Sequence, residues 1–354
     1  MLQRRRLLLG ATSFSVGALA TALAAPAIAA GRASGLLVAQ GPRSRMVMVN
    51  DLAGDVDGLF ALVHALISPS VEVRAVVASG DGEHQGQVAK GVKVGTEALA
   101  AVGREGLHVL AGAPLRMTEA DRPVDSPGAR AIIAEALRSD SNLPLFVGVG
   151  GGLTEIASAI LLEPSIADHM TLVWIGGAPY PAGGKEYNFS IDPIAAQVVF
   201  DNPRLRIWQV PMNAYAQCVI AASEIQLRVR PWGSAGAWLF DQFNQSIGFW
   251  NRFMGMNTGA TWTLGDSPLV LLTALTGWFP SEGFGTRSMS YEQTGSSLYD
   301  EPFAPRLNSD GTYAARAQGK RIRSYRMIDT RTMFEDFFAR LQLHASMVRP
   351  RGSG

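Results

Sequence analysis

The chain has 354 residues, a formal net charge of +1, 47% hydrophobic residues and 17% charged residues. That balance belongs to a globular protein and excludes a disordered one, and the length is enough to bury one sizeable core. With neither a basic run nor an acidic tail, nothing points to a nucleic-acid polymer as partner.

Residues 1–30 read as an export signal. Arg4, Arg5 and Arg6 precede an apolar stretch from residue 7 to 25, Pro26 ends it, and Ala27, Ile28 and Ala29 supply the small residues of a cleavage site. Arginines directly before Leu7 suggest the twin-arginine route and a periplasmic or secreted destination. The competing reading is an uncleaved membrane anchor, which the Gly, Ser and Thr in the stretch disfavour. No second stretch is apolar enough to span a membrane, so no membrane contact is expected once the signal is removed. The lone Cys218, in an apolar run, reads as packing and cannot form an internal disulfide.

Residues 31–44 read as a linker, 45–345 as one domain and 346–354 as a disordered tail. Residues 46–49 form a short apolar run fit for a buried strand. Residues 50–58 are polar, and 59–68 have helical spacing with Leu59, Leu62, Val63 and Leu66 on one face. Further strands are expected at 71–78, 107–110, 143–149, 172–175 and 206–210. Helices are expected at 86–103, 129–138, 153–162 and 193–200. This alternation predicts an α/β fold with an open, mostly parallel sheet, mixed at its edge, and helices on both faces. Residues 222–258 carry Trp232, Trp238, Phe240, Phe243, Phe249, Trp250 and Phe253 at broadly helical spacing, either as core or as an apolar lid. Residues 281–325 read as loop and hairpin. A closing helix follows at 327–342 with Thr330 as its N-cap.

The most informative segment is residues 50–58, where Asp51, Asp55 and Asp57 stand just past the first strand. Ligands of open α/β sheets bind at that edge. Three ionised carboxylates in so short a run repel one another unless a cation compensates, and oxygen donors of this kind suit Ca²⁺. An EF-hand loop is excluded, because Ala53 stands where an acid is needed and no Glu closes the loop. Acids favoured by a helix N-terminus would explain Asp55 and Asp57 but not Asp51. Asp266, before the apolar run 269–275, reads either as an N-cap or as a distal ligand.

From residue 46 to the closing helix, the sequence resembles the inosine–uridine-preferring nucleoside hydrolase family. Four segments carry the resemblance. The string Val49-Asn50-Asp51-Leu52-Ala53-Gly54-Asp55-Val56-Asp57-Gly58 looks like a respaced form of the family's opening D-x-D-x-G-x-D-D, with Gly58 where the last acid belongs. Gly150-Gly151-Gly152-Leu153-Thr154-Glu155-Ile156-Ala157, followed by Leu162-Glu163-Pro164, matches the family's G-x-L-T-N turn and L-E-P, with Glu155 in place of Asn. Residues 186–196 match E-x-N-x-x-x-D-P-x-A-A. Gly265-Asp266-Ser267-Pro268 resembles the family's H-D-P, with Gly265 replacing the histidine.

The resemblance implies Ca²⁺-dependent hydrolysis of the N-glycosidic bond of a ribonucleoside or related N-riboside. It implies Asp51 as the group that takes a proton from water and also holds the metal. Asp57, Asp266, the Gly150 carbonyl and, as a substitute, Asp55 would complete the metal set. Glu186 and Asn188 would bind ribose hydroxyls, with Asp81 a further sugar contact. His84 and Tyr215 are the candidates for the missing leaving-group acid. A small-molecule substrate and a homo-oligomer are also implied. Two other readings stay open: a metal-dependent sugar-binding protein without turnover, favoured by the missing acid and histidine, and a glycosidase for a different aglycone on the same scaffold.

Overall fold

The computed structural model describes residues 41–348 except 256, 276, 281–288 and 294–295. The export-signal reading, most of the linker reading and the last residues of the tail lie outside the described residues, as does part of the 281–325 segment. No described helix is long and apolar enough to cross a membrane.

The chain begins with β1 (Ser44–Asn50), α1 (Asp57–Ile67), β2 (Val71–Ala78), α2 (Gly86–Ala101) and β3 (Val109–Ala111). It continues with α3 (Pro127–Ala136), β4 (Leu145–Gly150), α4 (Thr154–Leu162), β5 (Thr171–Ile175), α5 (Tyr187–Ile191), α6 (Pro193–Asp201) and β6 (Arg206–Val210). Next come α7 (Met212–Tyr215), β7 (Val219–Ala221), α8 (Ala222–Arg228), α9 (Gly233–Met254), β8 (Thr261–Thr263) and α10 (Pro268–Ala274). The remainder is β9 (Gly277–Pro280), β10 (Met289–Gln293), β11 (Leu298–Asp300), β12 (Arg306–Leu307), β13 (Tyr313–Ala314), β14 (Arg323–Met327) and α11 (Thr330–Val348).

Eight strands form one open sheet in the order β11-β14-β6-β5-β4-β1-β2-β3. Every pairing is parallel except that of β11 with β14. The expected architecture is therefore the observed one. Period-two alternation in the strands builds a core on each face. Met46 and Met48 of β1 join Val76, Val173 and Trp208 against α1, α2, α9, α10 and α11. Val47 and Val49 face the other way, joining Val77, Val147 and Trp174 against α3, α4 and α6. Such strands are apolar on both sides, which is why they read as continuous hydrophobic runs.

Chain order reverses between β1 and β4: after β1 the chain moves outward to β2 and β3, then returns to the other side of β1. Such a reversal opens a crevice at the carboxyl ends of the two strands. Asn50 ends β1 and pairs in register with Gly150, which ends β4, so the acidic loop starts at the mouth of this crevice.

Local details differ from the sequence expectation. Strand β1 begins at Ser44, inside the expected linker, and α11 runs to Val348, inside the expected tail. The cap of α11 is Asp329 rather than Thr330, because its carboxylate accepts the Thr332 amide at 2.9 Å, three residues ahead. The aromatic stripe divides. Phe243 is buried in the core, whereas Phe249 and Phe253, one turn apart, stack with parallel rings and are 54% and 70% exposed.

Candidate active site

The crevice contains a cavity of about 210 Å³ lined by Asp51, Asp55, Asp57, Ile175, Glu186, Tyr187, Asn188, Tyr215, Thr263, Gly265 and Asp266. It brings together seven of the residues singled out from the sequence, Asp51, Asp55, Asp57, Glu186, Asn188, Tyr215 and Asp266, drawn from segments up to 215 positions apart. Among the described residues, none that lines the cavity is cationic.

The loop after β1 turns back on itself, with the Gly54 amide donating to the Asp51 carbonyl at 2.6 Å. The Asp51 amide donates to the Gly150 carbonyl at 3.1 Å, fixing the start of the loop to the end of β4. Asp266 precedes α10 but does not cap it. It is buried and accepts from the Asn50 amide Nδ2 at 2.8 Å. Asn50 has no motif role in the sequence. Its one visible signal is an amide directly after the apolar run 46–49, and its partner lies 216 residues away.

Two glycines let these groups approach. A Cβ on Gly150 would lie 2.4 Å from Asp266 Oδ2, and one on Gly58 would lie 2.4 Å from Asn50 Oδ1. Position 58 therefore has no room for the carboxylate that the family motif suggested was missing there. Glycine is required by the packing of Asn50.

Electrostatics distinguish the acids. Burial, followed by repulsion from Asp57 and Asp55, holds the Asp51 carboxyl well above its ordinary pKa. Asp57 is raised well above its own by burial and then by Asp266. Burial, reinforced by Asp51, pushes Asp266 up to about 7. Asp55 is different: its Oδ1 accepts the Val56 amide at 2.7 Å and the Ser246 hydroxyl at 3.0 Å, and its Oδ2 accepts Trp262 Nε1 at 3.1 Å. These bonds oppose the upward shift that burial imposes on it.

The donor set is suited to a hard divalent cation: oxygen only, with buried like charges and no compensating side chain. Among the described residues, however, no group of three or more His, Cys, Asp or Glu side chains is arranged to hold an ion. The carboxylates converge on the cavity without closing a cage of side chains.

On the opposite wall, Glu186 caps α5 and is fully engaged. Its Oε1 accepts the Asn188 amide at 3.2 Å and the Tyr215 hydroxyl at 2.8 Å. Its Oε2 accepts the Gly177 amide at 2.7 Å and the Phe189 amide at 2.9 Å. Asn188 donates Nδ2 to the Ile175 carbonyl at 2.8 Å, which holds it at the end of β5. Tyr187 is exposed at the mouth.

Asp81 does not line the cavity. Its oxygens accept the Glu83 and His84 amides at 3.0 and 2.8 Å, and the His84 ring pairs with it at 2.7 Å. His84 itself is exposed. Its partner Asp81 is near enough to raise the pKa values of Asp51 and Tyr187. Tyr215 does line the cavity, and burial and then the Glu186 charge push its phenol far above the ordinary value. His64, paired at 3.0 Å with Asp336, ties α1 to α11 and is structural.

At the switch point of the parallel sheet, acids from distant parts of the chain face a Glu–Asn pair. Residues 48–274 match the model of the inosine-uridine preferring nucleoside hydrolase family, and the chain belongs to that family. It is 33% identical over 118 residues to the inosine-uridine preferring nucleoside hydrolase of Leishmania major, covering 32% of this chain and 37% of that protein. It is 37% identical over 93 residues to the protein of the same description from Crithidia fasciculata, covering 25% and 28%. The matched stretches thus span about a third of those relatives' length. The fold is that of the purine-preferring ribonucleoside hydrolase from Gardnerella vaginalis, with a TM-score of 0.66, 17% identity, and coverage of 86% of this chain and 100% of that one.

Proposed function

We propose that the chain hydrolyses the N-glycosidic bond of a ribonucleoside or related N-riboside, releasing the pentose and the free base, with Ca²⁺ as cofactor. Membership of the family supports the reaction class. The observation that carries the reading is the cavity at the switch point, where Asp51, Asp57 and Asp266 face Glu186 and Asn188.

Asp51, Asp57, Asp266 and the Gly150 carbonyl would hold the ion. When bound, it supplies charge to neutralise these acids and to lower the pKa of a coordinated water. Asp51, beside the cavity and tied to β4 through its own amide, accepts the proton that water gives up at its carboxylate. Water then attacks the anomeric carbon as the C–N bond breaks, and the electron pair leaves with the base. Glu186, fixed by four hydrogen bonds, places a negative charge opposite the developing oxocarbenium. The Asn188 side chain orients the sugar. Among the described residues no histidine lines the cavity, and the strongly raised Tyr215 phenol is a poor acid. With these residues, departure of the base draws its proton from the base itself or from solvent. That favours aglycones that leave readily as anions or are protonated in solution.

Two further proposals remain: a periplasmic or secreted protein exported by a twin-arginine signal, read from residues 1–30, and a homo-oligomer in solution, implied by the family resemblance. The test of the activity is ribose release from a nucleoside panel by the chain starting at about residue 31, with elemental analysis for calcium and Asp51→Ala alongside. Bound calcium with release that vanishes in the variant supports the proposal. Bound calcium without release from any nucleoside overturns turnover in favour of a sugar-binding protein or another glycosidase. Absence of stoichiometric metal overturns the Ca²⁺ assignment.

A further inference from the structure

Asp55 is the acid of the loop whose oxygens are already taken by protein groups from two distant elements: Ser246 of α9 and Trp262 of β8. It lines the cavity and also a neighbouring groove of about 490 Å³. The groove lies between the loop after β1, the start of α2 and the last turns of α9, and its walls include Lys90, Gln245, Phe249 and Trp250. Phe249 and Trp250 stand three and four residues beyond Ser246, on the same face of α9. The bond from Ser246 to Asp55 therefore sets where these rings sit relative to the acidic loop. The cavity of about 210 Å³ is below the range of about 300–1,000 Å³ usual for small-molecule pockets. The groove shares Asp55 with the cavity, which makes it the neighbouring space open to an aglycone.

We propose that Asp55 is a positioning residue, not a cation ligand: its carboxylate clamps α9 and β8 onto the loop after β1 and so fixes the wall that meets the aglycone. The aglycone part rests on the N-riboside reading above. The clamp itself rests only on the two hydrogen bonds from Ser246 and Trp262. A charged acceptor suits the role because hydrogen bonds to carboxylates are the stronger kind. An amide in its place would turn an N–H toward Trp262 Nε1–H, or give up a donor elsewhere.

The experiment compares Asp55→Asn, Trp262→Phe and Ser246→Ala by three readouts: KM for the best nucleoside against Ki for free ribose, calcium per chain in saturating calcium, and amide exchange along α9. The expected result is a KM raised severalfold in Asp55→Asn and Trp262→Phe, because the wall is no longer held in place against the loop. Ribose Ki and calcium content stay unchanged, and exchange over residues 242–253 becomes faster. The proposal is overturned if Asp55→Asn loses calcium while Trp262→Phe keeps both calcium and KM. It is also overturned if exchange on α9 is unaltered in all three variants. If Asp55→Asn does not fold, Trp262→Phe and Ser246→Ala decide the matter. If the unsubstituted chain releases no ribose from any nucleoside, the hydrolase reading fails, and α9 exchange alone decides the clamp.

Discussion

The Tyr215 hydroxyl donates to Glu186 Oε1 at 2.8 Å, and its ring edge stands 3.3 Å from where a Cβ on Gly265 would lie. With three backbone amides also bound, Glu186 has no free lone pair for a sugar hydroxyl. The phenol occupies an acceptor site that a pentose would need. Tyr215→Phe is therefore expected to bind ribose more tightly, by roughly three- to tenfold, the worth of one exchanged hydrogen bond. Titration calorimetry with ribose checks this. Weaker binding would mean that the phenol chiefly holds Glu186 in place.

The same ring crowds a larger side chain at 265. A Cβ there lies 3.2 Å from Asp57 Oδ2 and 3.3 Å from the Tyr215 ring, so in Gly265→His these neighbours must give by a few tenths of an ångström. Restoring the family's histidine alone should lower kcat/KM, whereas Tyr215→Ala with Gly265→His should recover part of the loss. Steady-state kinetics on both variants decides between these outcomes.

Glu155 is buried at the start of α4. Its Oε1 accepts the Ala113 amide at 2.7 Å, and its Oε2 lacks a hydrogen-bond partner. Burial, with a smaller push from Asp192, raises its pKa from 4.5 to about 7. A raised acid pKa means that the folded state keeps a proton which the unfolded chain releases near 4.5. The contribution of Glu155 to stability is therefore greatest below that pH, falls as pH rises through the window, and is lower above about 7 by about 3 kcal/mol. Glu155→Gln should flatten this dependence. Urea denaturation at pH 4.5, 6 and 8 measures it, and an equally steep decline in the variant would contradict the assignment.

If three acids repel one another in the cavity, a cation that relieves them stabilises the fold. Calcium at one hundred times its Kd should stabilise the chain by about 2.7 kcal/mol, reversibly with a chelator. Asp266→Ala should lose most of that gain. Thermal melts with calcium, magnesium and chelator provide the measurement, and identical melting in all three would count against any resident ion.

Asp192 is buried and accepts three bonds: the Ala195 amide at 2.9 Å, the Thr154 hydroxyl at 2.7 Å and the Met117 amide at 2.8 Å. It caps α6 while tying α4 and the segment after β3 to it. Asp192→Ala leaves two buried amides without an acceptor and should cost roughly 3–5 kcal/mol. Its denaturation midpoint reports the loss. A shift below 1 kcal/mol would mean that water replaces the carboxylate.

Much of this was legible in the sequence. Strands apolar on both faces and helices apolar on one announce themselves by local periodicity, so the α/β alternation and the parallel sheet could be read directly. The acids Asp51, Asp57 and Asp266 and the Glu186–Asn188 pair stood out because carboxylates and amides next to apolar strand ends have few other reasons to be there. Boundaries such as the Asp329 cap were misplaced by a residue because capping depends on where one carboxylate reaches.

The sequence by itself determined the layers of the fold, the strand edge at which the site lies and the kinds of donor available there. Only the tertiary structure decided how those donors are used. Asp55 is engaged by Ser246 and Trp262, Asn50 packs against Gly58 and holds Asp266, and Glu186 is saturated by Tyr215 and three amides. The reason is physical. Periodicity is a property of neighbours along the chain, whereas the partner of a buried polar atom is set by which distant segment the sheet brings within about 3 Å of it.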